Sequence, residues 1–160
     1  MKHYFFDSST FLKLFVVEPG ANRVREIVRL AQAEATPVRV SVCDLAHPEC
    51  VSAMRQMLER GAGGRRGISF ASFSRTLPRI AEVFQDAAHI VVVDASDVIP
   101  ESTGVAARYR VKGADAVHIA AAQRVHRRLG AGEEFWFVSA DLRQAEAARQ
   151  EGMPVLDPTL

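Results

Sequence analysis

The sequence has few cysteines and no long apolar run. Its two cysteines, Cys43 and Cys50, are too few for a disulfide framework, and their spacing is not that of a zinc site or a redox pair. We expect both to be reduced core residues. No run approaches the roughly 20 apolar residues of a membrane span, and Asp7 and Lys13 interrupt the N-terminal apolar stretch, which makes it a poor secretory signal. We therefore expect a cytoplasmic protein without membrane contact.

An excess of charge of either sign is also missing. The 20 basic and 19 acidic residues leave a net charge of +1, so any binding of nucleic acid must come from a local patch. Lysine occurs only at positions 2, 13 and 112, and the other basic residues are arginines. Arginine suits bidentate contacts with phosphate, but a biased codon composition explains the preference equally well.

What the chain does have is enough apolar material for a core. Of its 160 residues, 48% are apolar, and a chain of this length buries roughly 70% of the surface of its unfolded form. No internal repeat or linker divides it, so we predict a single domain over residues 1–160. The glycine-rich segment at residues 61–67 lacks the Gly-Lys-Ser/Thr ending of a phosphate-binding loop.

Short apolar runs alternate with helical patterns along the chain. The runs predict strands at residues 4–6, 38–42, 90–93, 135–138 and 154–156, with the β-branched run at 90–93 typical of a buried strand. Strands that alternate with helices favour parallel pairing. We therefore predict an α/β protein, a three-layer α/β/α domain with a central parallel sheet.

The helical patterns begin and end at recognisable signals. The first helix is predicted from a cap at Ser8 or Ser9 to Pro19, and the third from a capping box at Ser41 and Asp44 towards Arg60. The fifth is predicted from a cap at Asp97 to Tyr109. The second, fourth, sixth and seventh are predicted over 24–31, over 68–86 with a break at Pro78, over 114–129 and over 142–151. Pro48 should delay or kink the third of these helices. The small apolar residues in the helix over 114–129 are typical of close packing against a sheet.

Four acidic residues are candidates for one pocket. Active sites of open α/β sheets lie at the carboxyl ends of the strands, where Asp7 and Asp141 follow predicted strands, Asp115 opens a buried helix and Glu49 borders the apolar face of another. Crowded carboxylates repel one another unless a cation relieves the repulsion. An all-oxygen donor set suits Mg²⁺ or Mn²⁺, and the usual chemistry of such a site is phosphoryl transfer or hydrolysis.

Each of these residues also has a plainer interpretation. The three aspartates precede helices and would serve as N-caps worth about 1 kcal/mol each. Glu49 alone is more typical of an exposed helix residue. His118 lies one helical turn beyond Asp115, but a histidine in a buried helix is more often a structural residue, so it is not included among the site residues.

Four stretches of the sequence resemble PIN-domain nucleases, in particular the VapC-like toxins of bacterial and archaeal toxin–antitoxin pairs. They extend over essentially the whole chain and read YFFDSSTFLKLFVVEPG, ECVSAM, GADAVHIAAA and FWFVSADLRQAEAARQEGMPVLDP. The first and third are specific when taken together, the fourth is weaker, and the glutamate motif is weak alone. Pro48, next to Glu49, departs from the smoother helix expected at that motif.

The resemblance implies a PIN-like fold and an endoribonuclease that cleaves single-stranded RNA. The acids that bind Mg²⁺ or Mn²⁺ and carry the catalysis would be Asp7, Glu49, Asp115 and Asp141. Small polar side chains that support the metal site would be Ser9 and Ser139. Glu49 would bind metal or orient the attacking water.

The resemblance also implies partners. Such toxins pair as homodimers and are blocked by an antitoxin, for which residues 68–84 form either a clamp or only a core-packing helix pair. Basic residues near the motifs that could contact a single-stranded or structured RNA are Lys13, Arg110, Lys112 and Arg143, although each is equally well explained as an ordinary solvated charge.

Other functions fit the sequence less well. A receiver domain would have a lysine after the last strand, and a haloacid-dehalogenase-like phosphatase would have a second aspartate two residues after Asp7; neither is present. A catalytically idle PIN-like binding module and a housekeeping nuclease without an antitoxin both stay open.

Overall fold

A five-stranded, wholly parallel sheet forms the centre of the computed structural model, which describes residues 1–33, 37–63, 67–86 and 88–160. The strands are β1 (Lys2–Phe6), β2 (Val38–Cys43), β3 (Ile90–Val93), β4 (Glu134–Val138) and β5 (Val155–Leu156). Their order across the sheet is β3-β2-β1-β4-β5. The parallel pairing predicted from the alternation of strands and helices is confirmed.

Helices connect the strands. They are α1 (Ser8–Leu12), α2 (Ala21–Gln32), α3 (Ala46–Ala62), α4 (Phe70–Gln85), a 3₁₀ turn (Ala95–Val98), α5 (Ile99–Arg108), α6 (Gly113–His126) and α7 (Leu142–Gln150). Within the described ranges, none of these helices combines the length and apolar character needed to cross a bilayer.

The helices cover both faces of the sheet. Phe5 and Phe6 are adjacent in β1 and fully buried on opposite faces, because side chains alternate along a strand. Phe5 belongs to a core that includes residues of α5, α6 and α7, and Phe6 belongs to one that includes residues of α1, α2, α3 and α4. The three-layer α/β/α prediction is thus confirmed, and the small residues of α6 are buried from Ala116 to Ala122 as expected.

The strand order places a topological switch point beside the central strand. The chain moves outwards from β1 through β2 to β3 and then returns to the other side of β1 as β4. The carboxyl ends of β1 and β4 therefore lie side by side, with Phe6 in register with Val138. Crevices outside such a point are where ligands bind in open α/β sheets.

Two predicted helix starts are wrong. The first helix is capped by Asp7, not by Ser8 or Ser9, and it ends at Leu12 rather than at Pro19. Ser41 does not cap a helix, because it lies within β2, paired between β1 and β3 and flanked by buried valines. Burial within the sheet outweighs the local capping preference of a serine.

The cap predicted at Asp97 and the buried environment of β3 are also wrong. Asp94 caps the 3₁₀ turn instead, through its hydrogen bonds from Ser96. Val91 and Val92 are exposed, and β3 is an edge strand of the sheet that the described residues form. A β-branched run therefore indicates a strand here but does not indicate its place in the sheet.

The two helical prolines disturb the backbone less than expected. Pro48 lies in the first turn of α3, where a backbone N–H has no intrahelical partner in any case. Pro78 lies inside α4 without ending it, so the predicted break is wrong. Pro78 and Ser74, whose carbonyl loses its partner, are both exposed, so water can replace the missing hydrogen bond.

Candidate functional site

Asp7, at the carboxyl end of β1, is a fully buried aspartate held by neutral donors. Its Oδ1 accepts hydrogen bonds from the Thr10 backbone N–H at 2.6 Å and the Ser9 hydroxyl at 3.0 Å. Its Oδ2 accepts from the Ser139 hydroxyl at 2.6 Å. Asp7 therefore does cap α1, as the plainer interpretation holds, and at the same time brings a carboxylate to the switch point.

A hydrogen-bonded path leads from Asp7 to two further acids. Ser139, which donates to Asp7, accepts from the Asp141 backbone N–H at 3.1 Å. The Asp141 carboxylate caps α7, accepting from the Gln144 backbone N–H at 3.1 Å. The Gln144 side-chain amide donates to Asp115 Oδ1 at 3.0 Å. The aspartates from three distant segments thus lie along one edge of the sheet.

Asp115 is a half-buried acid whose pKa is raised. Burial raises the pKa of this carboxyl group above its ordinary value, and the negative charge of Asp141 raises it further. A hydrogen bond from the Lys112 backbone N–H at 3.1 Å, with the charges of Lys112 and His118, opposes the rise. Asp115 is thus an incompletely compensated anion, the environment in which a cation is most favourable.

Glu49 lies in the first turn of α3 and contacts a separate pair of residues. Its Oε2 accepts from the Ser8 hydroxyl and contacts His118 Nε2 at 2.7 Å, while Ser8 and His118 also contact each other at 2.7 Å. Burial opposes ionisation of Glu49, but the hydrogen bonds from His118 and Ser8 and the charge of Lys112 outweigh it, so the pKa of Glu49 lies below its ordinary value.

A buried cysteine links the surroundings of Glu49 and Asp7. Cys50 follows Glu49 in α3, and its thiol donates a weak hydrogen bond to the Ser8 backbone carbonyl at 3.5 Å. Burial raises the pKa of the Cys50 thiol far above its ordinary value, and the negative charges of Glu49 and Asp7 raise it further. Burial also raises the pKa of Cys43 to about 12. Both free cysteines are buried, as expected, and remain protonated thiols rather than soft metal ligands.

Within the described part of the chain, no arginine or lysine side chain forms an ion pair with any of the four acids. Carboxylates without a basic partner are the donor set that suits Mg²⁺ or Mn²⁺. Across residues 1–33, 37–63, 67–86 and 88–160, no three His, Cys, Asp or Glu side chains converge closely enough to hold a metal ion in the conformation shown. The chemistry of the donors fits, and their side chains are turned towards hydroxyl, amide and imidazole partners.

The four basic candidates for RNA contact differ in exposure. Lys13 is buried and its ammonium group pairs with Glu18 at 2.7 Å, which leaves it little to offer a phosphate. The three others are exposed; they are Arg110, Lys112 and Arg143. Lys112 is near enough to influence the pKa of two of the acids.

Three contact residues of this site are absent from the sequence prediction. Ser8 and His118 hold Glu49, and Gln144 joins Asp141 to Asp115. The spacing of Asp115 and His118, three residues apart in a helix, places both on one face and was the available signal for His118. Nothing in the local sequence marks Ser8 or Gln144.

No protein-family model and no curated protein matches the sequence. Solved structures do match. A chain of a toxin–antitoxin complex from Klebsiella pneumoniae is similar with a TM-score of 0.56 and 18% identity, over 97% of this chain and 97% of that one.

A second similar structure is VapBC2 from Rickettsia felis bound to a DNA fragment from their promoter. Its TM-score is 0.55 at 8% identity, over 96% of this chain and 97% of that chain. At such identities the likeness shows the fold. The chain therefore has the three-layer architecture of these toxin–antitoxin structures, which confirms the PIN-like fold that its resemblance implies.

Proposed function

We propose that this protein is a Mg²⁺- or Mn²⁺-dependent endoribonuclease and the toxin of a toxin–antitoxin pair. The observation that carries the proposal is the hydrogen-bonded path through Asp7, Asp141 and Asp115 at the switch point of the sheet, where no lysine or arginine of the described residues pairs with them. An anionic edge of this kind has a cost in stability, and a function that needs the charge accounts for it.

The metal would be held by Asp7, Glu49, Asp115 and Asp141. Among the described residues their side chains do not converge on one ion, and Ser9 and Ser139 hold the Asp7 carboxylate by hydrogen bonds. A bound divalent cation supplies charge neutralisation for the phosphate and acidification of water. Oxygen donors and near-neutral pH suit Mg²⁺ and Mn²⁺ equally.

The chain's own residues bind and orient the other reactants. Glu49, whose lowered pKa keeps it ionised near neutral pH, would bind the metal or orient the attacking water. Lys112 and Arg143 are exposed next to the acids and would bind the RNA backbone, compensating for the repulsion between phosphates and carboxylates. The leaving group in this scheme is the 3′ oxygen.

The toxin assignment rests on the solved structures to which this fold is similar. One similar structure is a toxin–antitoxin complex and the other is VapBC2 bound to promoter DNA, and the likeness covers nearly the whole of each chain. We infer an antitoxin partner that blocks the acidic edge, a homodimer, and a cytoplasmic location, where RNA and antitoxin meet.

Cleavage of RNA tests the proposed activity. The purified protein should cleave single-stranded RNA with Mn²⁺ and not with EDTA, and the variants Asp7→Asn and Asp115→Asn should lose cleavage. Glu133→Gln, a change in an acid at the opposite end of the sheet, is the matched control and should cleave normally. Equal cleavage by wild type and both site variants indicates a contaminant and contradicts the proposal. Binding of RNA or a protein without cleavage favours the idle binding module.

Growth tests the toxin role separately. Expression of the protein alone should arrest growth, and Asp7→Asn or co-expression of a small neighbouring open reading frame should relieve the arrest. Harmless expression of a cleavage-competent protein, with no such neighbour, favours a housekeeping nuclease.

A further inference from the structure

His118 is a buried histidine whose only hydrogen-bonding contacts among the described residues lead to Glu49 and Ser8. It is 1% exposed, and its Nε2 contacts Glu49 Oε2 and Ser8 Oγ, both at 2.7 Å. Its Nδ1 is buried without a partner. A structural histidine usually satisfies both nitrogens, so the contacts of His118 are directed at one carboxylate rather than at the core.

The unpartnered Nδ1 identifies the direction of the hydrogen bond to Glu49. A neutral imidazole carries one N–H and one acceptor nitrogen. With the proton on Nε2, His118 donates to Glu49, and only an acceptor is left unused in the core, a less costly state than a buried orphan N–H. Ser8 donates to the same oxygen, so Oε2 of Glu49 receives two donors.

The second oxygen of Glu49 is left free by this arrangement. No hydrogen bond to Oε1 comes from the described residues, and the side chain is one-third exposed. Carboxylates that bind a metal are commonly held in this manner, with one oxygen fixed by a neighbouring donor and the other directed to the ion. Holding also removes rotamer entropy of a long side chain before binding.

The helix α6 therefore serves two acids of the site. It carries Asp115 in its first turn and His118 one turn later, and His118 reaches across to Glu49 on α3, 69 residues away in sequence. The close packing of α6 in the core fixes the imidazole, because residues 116–123 are all buried.

We propose that His118, assisted by Ser8, is a positioning residue that holds Glu49 with Oε1 available to the divalent cation. The inference rests on the proposed function and adds to it the residue that sets the geometry of its glutamate. His118 does not touch substrate or ion in this scheme and acts only through Glu49.

Direct measurement of Mn²⁺ binding tests the proposal without relying on activity. Calorimetric titration of the folded protein with Mn²⁺ at constant pH should show about 10-fold weaker binding for His118→Leu, the scale typical of lost outer-shell partners of a metal site. His118→Gln, which keeps a donor near the position of Nε2, should recover most of the affinity, and Ser8→Ala should lose about as much as one hydrogen bond provides. In RNA cleavage, the fall should be in kcat at subsaturating Mn²⁺, with KM for RNA unchanged.

A second histidine of α6 supplies the matched control. His126 lies at the other end of the helix, where it stacks on Phe135. His126→Leu should bind Mn²⁺ like the wild type. If His118→Leu does not fold, the comparison of His118→Gln and Ser8→Ala with the wild type decides.

The outcomes separate this inference from the proposed function. Wild-type affinity in the folded His118 and Ser8 variants, with only a lower melting temperature, overturns the positioning role and leaves the nuclease proposal intact. Absence of Mn²⁺ binding by the wild type overturns the nuclease proposal itself, and the positioning role with it.

Discussion

Acidic side chains are treated differently at the two ends of the neighbouring strands β1 and β4. At the amino end, each acid has a base. Lys2 contacts Glu134 at 3.7 Å, and His3 contacts Glu133 at 3.0 Å. At the carboxyl end, Asp7 is fully buried and bonded only to hydroxyl and backbone donors.

The difference shows at which end of the sheet the negative charge of the acids is not balanced by a basic side chain. The exposed pair Lys2–Glu134 at the amino end is close to neutral in free energy and its removal should change stability little. At the carboxyl end, burial raises the pKa of Asp115, and the negative charge of Asp141 raises it further. A basic side chain would balance the charge of these carboxylates, and none of the described residues provides one. We therefore place the proposed function at this end.

The rate of RNA cleavage should show the largest difference between removing a charge at the carboxyl end and removing one at the amino end. Asp141→Asn keeps a cap for α7 and removes one charge, and it should lower kcat about 100-fold, equivalent to about 2.7 kcal/mol of transition-state stabilisation. Glu134→Gln removes one charge from the other end and should leave kcat unchanged. Initial rates with Mn²⁺ measure both, and equal effects at the two ends contradict the comparison.

Stability with added Mn²⁺ sharpens the same contrast. An ion that binds only the folded protein at 100 times its dissociation constant adds about 2.7 kcal/mol to the free energy of unfolding. Urea titration should show this gain in wild type and Glu134→Gln and not in Asp7→Asn. A gain that survives in Asp7→Asn would place the ion elsewhere.

The pH dependence of stability should differ in sign between two acids of the carboxyl end. The pKa of Asp115 is raised on folding, so its stabilising effect is present below the unfolded pKa and lost as pH rises through the folded pKa. The pKa of Glu49 is lowered, so its effect is present above the unfolded pKa and lost as pH falls through the folded one.

Replacing each carboxylate with its amide shows the sign of its effect on the pH dependence of stability. As pH rises from the acid range to neutrality in EDTA, Asp115→Asn should gain stability relative to the wild type, and Glu49→Gln should lose it. Urea unfolding at several pH values measures both differences. Slopes of the same sign would show that the two carboxylates do not lie in the opposite environments described.

The smallest effect is expected from the amino end alone. Glu134→Gln breaks a long, half-exposed pair with Lys2, and the free energy of unfolding should change by less than about 1 kcal/mol. Thermal unfolding in low and high salt measures it. A larger loss would mean that this end also depends on its charges, and the contrast between the ends would weaken.

The sequence predicts the strands, and the positions of Asp7 and Asp141 after two of them, because both follow from short-range rules; the role of these acids, and of Glu49 and Asp115 on helices, stays a prediction. Apolar runs mark strands, and carboxyl ends of parallel strands meet at one edge. The rules fail where burial competes with local preference. Ser41 has the spacing of a helix cap but lies buried in β2, and Val91 and Val92 of the edge strand β3 are exposed.

The contacts that organise the site are harder to predict. His118 meets Glu49 across 69 residues, and Gln144 meets Asp115 across 29. Such pairs depend on how α3, α6 and α7 pack on the sheet, and no local pattern records that packing. The sequence therefore suggests the candidate acids, but it does not show which side chains, such as His118 and Gln144, form hydrogen bonds with them.

Anomalous scattering from a crystal grown with Mn²⁺ tests the central claim most directly. The account predicts one or two manganese peaks at the carboxyl end of β1 and β4, at about 2.1–2.2 Å from carboxylate oxygens of at least two of Asp7, Glu49, Asp115 and Asp141. Manganese bound only at other surfaces, with these four side chains still turned to their hydroxyl, amide and imidazole partners, would contradict it.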